Sequence, residues 1–333
     1  MGFAAVAWHR DPMRVLVTGA SGFIGRRLLE SLAIRGDSGV AVGRNPPPVP
    51  RGWQSAARSE LVRSSDHEPD CQGLVHLEVK QHVPHPTAHD QAEFTHVNIG
   101  GTTEWLDWAT RNGIPRFVYV SSVKAVRASG DLTYEDADPE TSDPYGRSKA
   151  EAEAAVREWA AAAANRTAVI LRFAPVYGPN NQANLAAFTK QIILGRPSLA
   201  GDGRAKKSIL SRENAVQAVY HALHQIHAGC EVFNVADSQP IALCDLASLI
   251  AGCCNAPPPR RIPRLLAVAI ARAGDAFEAL TGREFVLDSR RLRILLSNSV
   301  FPIDKLLRSG FVPQQSTADG IAEMAVWVRD QGR

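Results

Sequence analysis

A short apolar strand that runs straight into three spaced glycines limits this chain more than any other feature. Arg14-Val15-Leu16-Val17-Thr18 is a strand-forming run, and Thr18-Gly19-Ala20-Ser21-Gly22-Phe23-Ile24-Gly25 follows it. From Phe23 to Ile34 apolar residues fall at Ile24, Leu28, Leu29 and Leu32, the period of a helix covered on one side. Strand, glycine turn and helix make a βαβ opening in which each glycine has its own reason. Gly19 permits the tight turn, Gly22 lets backbone approach a pyrophosphate, and Gly25 lets helix and strand pack closely. N–H groups and the dipole at the helix start then favour phosphate. A tight turn with no ligand is the plain alternative.

Further strands are expected at 39–42, 74–77, 117–120 and 169–171, with helices at 101–111 and 148–164, the second rich in alanine. Strands alternating with helices imply an α/β fold whose parallel sheet is covered on both faces, the doubly wound Rossmann arrangement. Pro46-Pro47-Pro48, Tyr177-Gly178-Pro179 and Pro257-Pro258-Pro259 punctuate the chain. They divide it into a Rossmann domain of residues 11–176 and 208–239 and a smaller C-terminal substrate lobe of 177–207 and 240–330. A helix over residues 213–226 returns to the sheet.

Net charge is +3 with acids and bases interspersed, so no nucleic-acid partner is expected. Five cysteines, two of them adjacent, fit neither a zinc site nor a simple disulfide. They point to reduced thiols and a cytoplasmic location. Residues 1–12 lack the apolar run of a signal peptide, and 265–270 is too short to span a bilayer, so no integral membrane segment is expected. Peripheral contact at 265–270 stays open.

Two more motifs carry chemistry. Tyr145-Gly146-Arg147-Ser148-Lys149 places a phenol and an ammonium four residues apart on one helix face. An ammonium near a phenol favours phenolate, so the tyrosine can exchange a proton with a substrate hydroxyl. Ser121-Ser122 closes the apolar run Phe117-Val118-Tyr119-Val120, at the strand end where open α/β sheets bind ligands. Taken singly, the first is also a common surface pair and the second a pair of turn-capping serines.

In this order and spacing the three motifs resemble the extended short-chain dehydrogenase/reductase family, of the NAD-dependent epimerase/dehydratase type. They look most like nucleotide-sugar 4-epimerases and 4-reductases. Val75-His76-Leu77, Val97-Asn98-Ile99-Gly100-Gly101-Thr102, Leu171-Arg172-Phe173-Ala174-Pro175-Val176-Tyr177-Gly178-Pro179 and Phe233-Asn234-Val235-Ala236 agree, so the likeness covers residues 13–326. The resemblance implies an enzyme with Ser122, Tyr145 and Lys149 as catalytic residues. Tyr145 is the acid/base, Lys149 tunes it and holds the nicotinamide ribose, and Ser122 orients the substrate hydroxyl, with Ser121 as the fallback. Cofactor contacts are expected from Gly19, Ser21, Gly22, Phe23, Ile24, Gly25, Arg44 and Leu77, and from Asn98, Ser121, Tyr145, Lys149, Pro175 and Val176. Substrate contacts are expected from Ser122, Lys124, Tyr145, Asn184 and Lys207. A homodimer is also implied.

Departures from the family pattern narrow the chemistry. Val123 and Lys124 stand where 4,6-dehydratases carry an Asp-Glu pair, which argues against dehydration. Glu78 replaces the small residue usual after His-Leu. Gly43-Arg44 stands where NAD-preferring members place an acid, so NAD(P) binding favours NADP, helped by Arg26; Arg44 as a solvated residue or adenine stack is the other reading. The expected reaction is hydride transfer at C4 of a nucleotide-activated hexose, with epimerisation and 4-keto reduction both open. An NADP-dependent reductase of a non-sugar ketone and a non-catalytic NAD(P) sensor are the alternatives. His82, His85, His89 and His96 are read as a loop over the substrate, with no metal, and His221 and His224 as a polar helix surface. Arg290, Arg291 and Arg293 are read as a basic face or a phosphate contact, and residues 321–328 as an amphipathic terminal helix.

Overall fold

The computed structural model describes residues 11–63, 70–83, 86–128, 131–181, 184–227, 229–283, 285 and 287–331. It divides into two compact units. The first comprises the stretches up to Ala125, Pro139–Arg172 and Val216–Phe233; the second comprises Val126–Asp138, Phe173–Ala215 and the chain from Asn234 onward. Val126–Asp138, inside the sheet domain as read from sequence, thus associates by its contacts with the second unit.

Seven strands form the central sheet: β1 (Arg14–Thr18), β2 (Ser38–Gly43), β3 (Trp53–Ala57), β4 (Gly73–His76), β5 (Arg116–Ser122), β6 (Thr167–Phe173) and β7 (Cys230–Val235). Their order is β7-β6-β5-β4-β1-β2-β3. The pairings of β1 with β2 and β4, of β2 with β3 and of β4 with β5 are parallel. The chain runs from β1 outward to β3, then returns to place β4 on the other side of β1. That reversal leaves a crevice at the C-terminal ends of β1 and β4. β3 was not expected from the sequence. Only two of its five residues are buried and it pairs with β2 alone, so it lacks the apolar run of an inner strand.

Four helices matter for the site: α1 (Phe23–Ile34), α2 (Gly101–Arg111), α3 (Pro144–Ala161) and α4 (Arg212–Gln225). Trp105, Trp108, Ala152, Val156 and Trp159 of α2 and α3 pack on Leu16, Leu74, Phe117, Tyr119 and Ile170 of the sheet. The alternate strand residues Val15, Val17, Val75, Val118 and Val169 are fully buried as well, so both faces are covered. Burying each such large side chain stabilises the fold by about 1.5–3 kcal/mol before entropy is counted.

The helix α3 begins at Pro144, four residues earlier than expected. Asp143 caps it by accepting the Gly146 N–H at 2.8 Å, and proline occupies the first turn, where its missing N–H costs nothing. His221 and His224, expected on a polar surface, are buried instead. His224 reaches Asp37 at 3.1 Å and stacks on Tyr220, so a hydrogen-bonding partner outside the helix, invisible to helical periodicity, draws that face inward.

The second unit has its own core. Tyr177, Ile192, Leu199, Leu246, Ile250, Ile321 and Met324 bring together the helices Asn184–Ile193, Leu243–Cys254 and Thr317–Gln331. Ala267, Ala271 and Leu292 form a smaller cluster between Arg264–Thr281 and Ser289–Leu296. All five cysteines are free thiols, and no described helix is long and apolar enough to cross a membrane.

Candidate active site

The crevice beside β1 is built by backbone approaching backbone. Gly19 has φ +64°, and a Cβ there would lie 2.8 Å from the Leu77 carbonyl carbon and 2.9 Å from the Glu78 nitrogen. At Gly25 a Cβ would lie 2.4 Å from the Gly19 carbonyl oxygen. Only glycine lets the turn close against both β4 and α1. The N-cap of α1 is Gly22, with no capping side chain and no acid in the first turn. The positive end of the helix and its first N–H groups are therefore uncompensated by protein, which suits an anionic diphosphate. Ser21, Gly22 and Arg26 are exposed there, with Phe23 and Ile24 half-buried. Arg26 donates to the Ser21 carbonyl at 2.8 Å, and Arg44, just after β2, is exposed.

A polar chain fixes the ends of β1 and β4. The Leu77 N–H donates to the Thr18 hydroxyl oxygen at 3.2 Å, so that hydroxyl donates onward to His76 Nδ1 at 2.7 Å. His76 Nε2 then carries the proton and donates to Thr102 Oγ1 at 3.2 Å, while Thr102 donates to the Asn98 carbonyl. The tautomer follows from this network. Burial first, then the charges of Lys149 and Arg58, hold the His76 pKa well below its ordinary value, so the ring is neutral. Glu78, the departure noted in the sequence, accepts from Arg58 at 3.2 Å and from Trp105 Nε1 at 3.1 Å. The cation and the indole N–H supply the reason a carboxylate is held at this depth.

Tyr145 and Ser122 meet because α3 starts hard against the end of β5. A Cβ on Gly146 would lie 2.4 Å from the Lys124 carbonyl oxygen, so glycine lets the first turn of α3 touch the backbone that follows Ser122. The Tyr145 ring is edge-on to His82 and to Phe94, with centroids 5.6 and 5.7 Å away. That enclosure raises the phenol to about 12, against the opposing pull of a hydrogen bond with Ser122. Ser121 is turned to a different partner and donates to Glu153 at 2.6 Å. Asn98 accepts the Lys80 N–H at 2.8 Å and donates to Ser148 Oγ at 2.9 Å. Ser148 donates in turn to the Tyr145 carbonyl at 2.8 Å. Asn98 thus ties the loop after β4 to the turn that carries the phenol.

Lys149 is 1% exposed. Its Nζ donates to the Val120 carbonyl at 2.9 Å and sits 4.2 Å over the Tyr119 ring. Burial brings its pKa down to about 7, against a raising effect of Glu153. The ammonium therefore faces a carbonyl and an aromatic ring, and the phenol is raised where the sequence pattern implied a lowered one. The expected lowering assumed that helical spacing alone brings the two heads together. A four-carbon stem reaches past the phenol when a better acceptor lies behind it.

Beneath Lys149 lies a group the sequence reading did not single out. Glu153, one turn further along α3 and 1% exposed, accepts from Arg172 Nε at 2.9 Å and Nη2 at 2.7 Å. This buried fork-to-fork pair holds the carboxylate that offsets the charge of Lys149. Spacing 145, 149 and 153 places all three on one helix face, which was the available signal. His82, read as part of a loop over the substrate, lies on the phenol; His85 is outside the described residues.

Other expected contacts lie in the second unit. Pro175 is exposed and Val176 half-buried at the start of a two-residue strand pairing with Leu210–Ser211. Asn184 opens a helix, and its side chain is outside those described. Lys207 Nζ donates to the carbonyls of Ile294 and Ser297, and burial brings its pKa down to about 8. Its third hydrogen bond goes to Ser299 Oγ at 3.4 Å. Lys124 is exposed, and its N–H donates to Ser122 Oγ at 3.2 Å.

Lys149 also gives a pH test. Between about 7 and its ordinary 10.5, the unfolded chain holds a proton that the folded chain does not. Stability from this side chain therefore rises with pH above about 7 and is lost as pH falls through that value. Without added cofactor, the melting temperature of wild type minus that of Lys149→Met is expected to climb from around pH 7 to around pH 9. A difference that stays flat or falls contradicts the burial described.

The model of the NAD dependent epimerase/dehydratase family matches residues 15–236. The N-acetyl-alpha-D-glucosaminyl-diphospho-ditrans,octacis-undecaprenol 4-epimerase of Escherichia coli O157:H7 is 27% identical over 318 residues, covering 92% of each chain. The crystal structure of UDP-glucuronic acid 4-epimerase from Bacillus cereus, in complex with UDP-glucuronic acid and NAD, has a TM-score of 0.75 at 19% identity. It covers 96% of this chain and 100% of that one. The human epimerase family protein SDR39U1 with NADPH also has a TM-score of 0.75, at 21% identity, covering 94% of this chain and 99% of that one.

Proposed function

Because this chain belongs to the NAD dependent epimerase/dehydratase family, of the extended short-chain dehydrogenase type, we propose that it oxidises and reduces C4 of a diphosphate-linked hexose through Ser122, Tyr145 and Lys149. The observation that carries the reading is the Ser122 hydroxyl on the Tyr145 phenol at the end of β5, with Lys149 buried behind it.

The glycine turn at 19–25 and the uncapped start of α1 fit a dinucleotide diphosphate. When bound, the nicotinamide supplies the hydride acceptor and donor, and in its oxidised form a positive charge that favours phenolate. Ser122 holds the C4 oxygen of the sugar against Tyr145. As the C4 carbonyl forms, Tyr145 takes the hydroxyl proton; in the reverse direction it returns one. A phenol raised to about 12 is protonated at neutral pH, so the resting site is set as a proton donor. Asn98 and Ser148 keep the turn carrying Tyr145 in place. Release or rotation of the keto sugar separates a 4-keto reductase from a 4-epimerase.

A nucleotide is the first reading for the group carrying the hexose. A lipid diphosphate is the second, favoured by the undecaprenol-linked substrate in the name of the relative that covers 92% of each chain. One incubation decides among carriers: UDP-, GDP- and dTDP-hexoses and an undecaprenyl-diphosphate N-acetylhexosamine, each with NAD or NADP, read by product identity. Turnover of a non-sugar ketone alone, or cofactor binding with no turnover of any substrate, overturns the reading.

Arg44 and Arg26 favour NADP over NAD, because a guanidinium matches a 2′-phosphate. Arg44→Asp is expected to lower kcat/KM with NADP(H) by about 10- to 100-fold, the worth of one charge-assisted hydrogen bond, and to raise or preserve that with NAD(H). Equal losses with both cofactors would remove Arg44 from the 2′-position.

A further inference from the structure

The helix Arg264–Thr281 buries Ala267, Ala271 and Gly274 against its unit and turns an apolar face outward. Leu265 and Leu280 are each 86% exposed, Leu266 53% and Phe277 40%. Ala269, Ala273 and Ala276 fill the spaces between them and are exposed as well. At helical spacing these positions share one side, and Arg272 is the only charge among them. Ile294, on the neighbouring helix Ser289–Leu296, is 53% exposed. The remaining exposed large hydrophobics, such as Ile34 and Val312, are scattered singly and carry no such pattern.

The acids of the helix are turned away and engaged: Asp275 accepts the Ser289 N–H at 2.9 Å, and Glu278 accepts the Phe285 N–H at 2.7 Å. Asp288 caps the neighbouring helix and is buried. Arg272 lies inside the stripe, while Arg264 shares the side of Asp275 three turns away. Arg260, Arg261, Arg264, Arg272, Arg283 and Arg293 are all exposed, and none makes an ion pair among the described residues. Exposed guanidiniums that make no ion pair among the described residues, with Arg272 inside the stripe and both acids of the helix on its other side, complement a surface that is oily beneath and negative on top.

We propose that this face lies on an anionic lipid bilayer, with Leu265, Leu266, Phe277 and Leu280 in the acyl boundary and the arginines among the headgroups. The helix has 18 residues and four charges, and no described helix meets the requirement for a span, so it lies in the interface plane. Apolar burial and attraction to anionic lipid act together there, and only the second is screened by salt. The inference draws on no residue of the site around Tyr145, so it stands or falls separately from the proposed activity.

The test is vesicle co-sedimentation of the full chain with phosphatidylglycerol–phosphatidylcholine mixtures and with phosphatidylcholine alone. Wild type is expected to sediment with the anionic vesicles, to be released in part by raised salt, and to bind the neutral ones at least about tenfold less. Leu265→Glu with Leu280→Glu should lower anionic-vesicle binding by at least about tenfold, with melting temperature unchanged because both side chains are already exposed. Absence of wild-type sedimentation, equal binding by the variant, or equal binding to both vesicle types overturns the proposal. A wild-type dimer that the same variant dissolves, without vesicle binding, assigns the face to a second copy of the chain instead.

Discussion

Tyr145→Phe is expected to lower kcat by about 10²- to 10⁴-fold, the usual contribution of a positioned general acid or base. The substitution removes one oxygen and leaves the ring packed edge-on against His82 and Phe94. Melting temperature and cofactor affinity should therefore stay near wild type, which separates lost chemistry from lost structure. Ser122→Ala should cost less, on the order of tenfold to a hundredfold, because the phenol keeps its place while the substrate loses one hydrogen bond. The two changes act on a shared proton, so the double variant should be little worse than Tyr145→Phe alone. Steady-state rates with the substrate identified by the panel check all three. Activity retained by Tyr145→Phe would falsify the assignment of this residue.

The second large effect lies under the site. Glu153→Leu leaves the Arg172 guanidinium, 4% exposed, without its carboxylate, and strips Ser121 of its acceptor. Breaking a buried pair from one side costs about 3–5 kcal/mol. In a chain of this size that is about a 4–7 °C fall in melting temperature. Combining Glu153→Leu with Arg172→Leu should recover much of the loss, since an apolar pair of similar volume often packs without penalty. Recovery should not extend to the pH profile. Glu153 raises the pKa of Lys149, so its loss lets the ammonium titrate below about 7 even in the refolded double variant. A purely structural pair would restore stability and profile together. Calorimetry with a pH–rate profile distinguishes the two outcomes. A single variant melting within about 1 °C of wild type would sink the argument for a buried, uncompensated charge.

What was legible in the sequence is what depends on one segment at a time. β1, α1 and α2 lie where the apolar pattern puts them, because α1 and α2 each bury one clear stripe and β1 is an apolar run cut off by a glycine turn. The start of α3 was misplaced because an aspartate cap and an N-terminal proline outrank the alanine run that follows. β3 escaped notice because an outer strand tolerates polar residues on both faces. The meeting of Ser122 with Tyr145 was readable from strand end and helix start. Glu153, Arg172 and Ser121 were not readable as a unit, since they sit on three separate elements and only packing brings them together. The direction of the Tyr145 shift was misjudged for the same reason: spacing locates a lysine stem, and tertiary neighbours decide where its head goes.

The touch of Gly146 on the Lys124 carbonyl has a genetic corollary. A methyl group at 146 strikes an atom that every amino acid possesses, so no exchange of side chain at 124 makes room for it. Suppressor selections on Gly146→Ala should return true revertants at that codon, while damage to the neighbouring aromatic packing remains open to repair from second sites. The join between strand end and helix start is thus a point where the lineage has almost no path of escape.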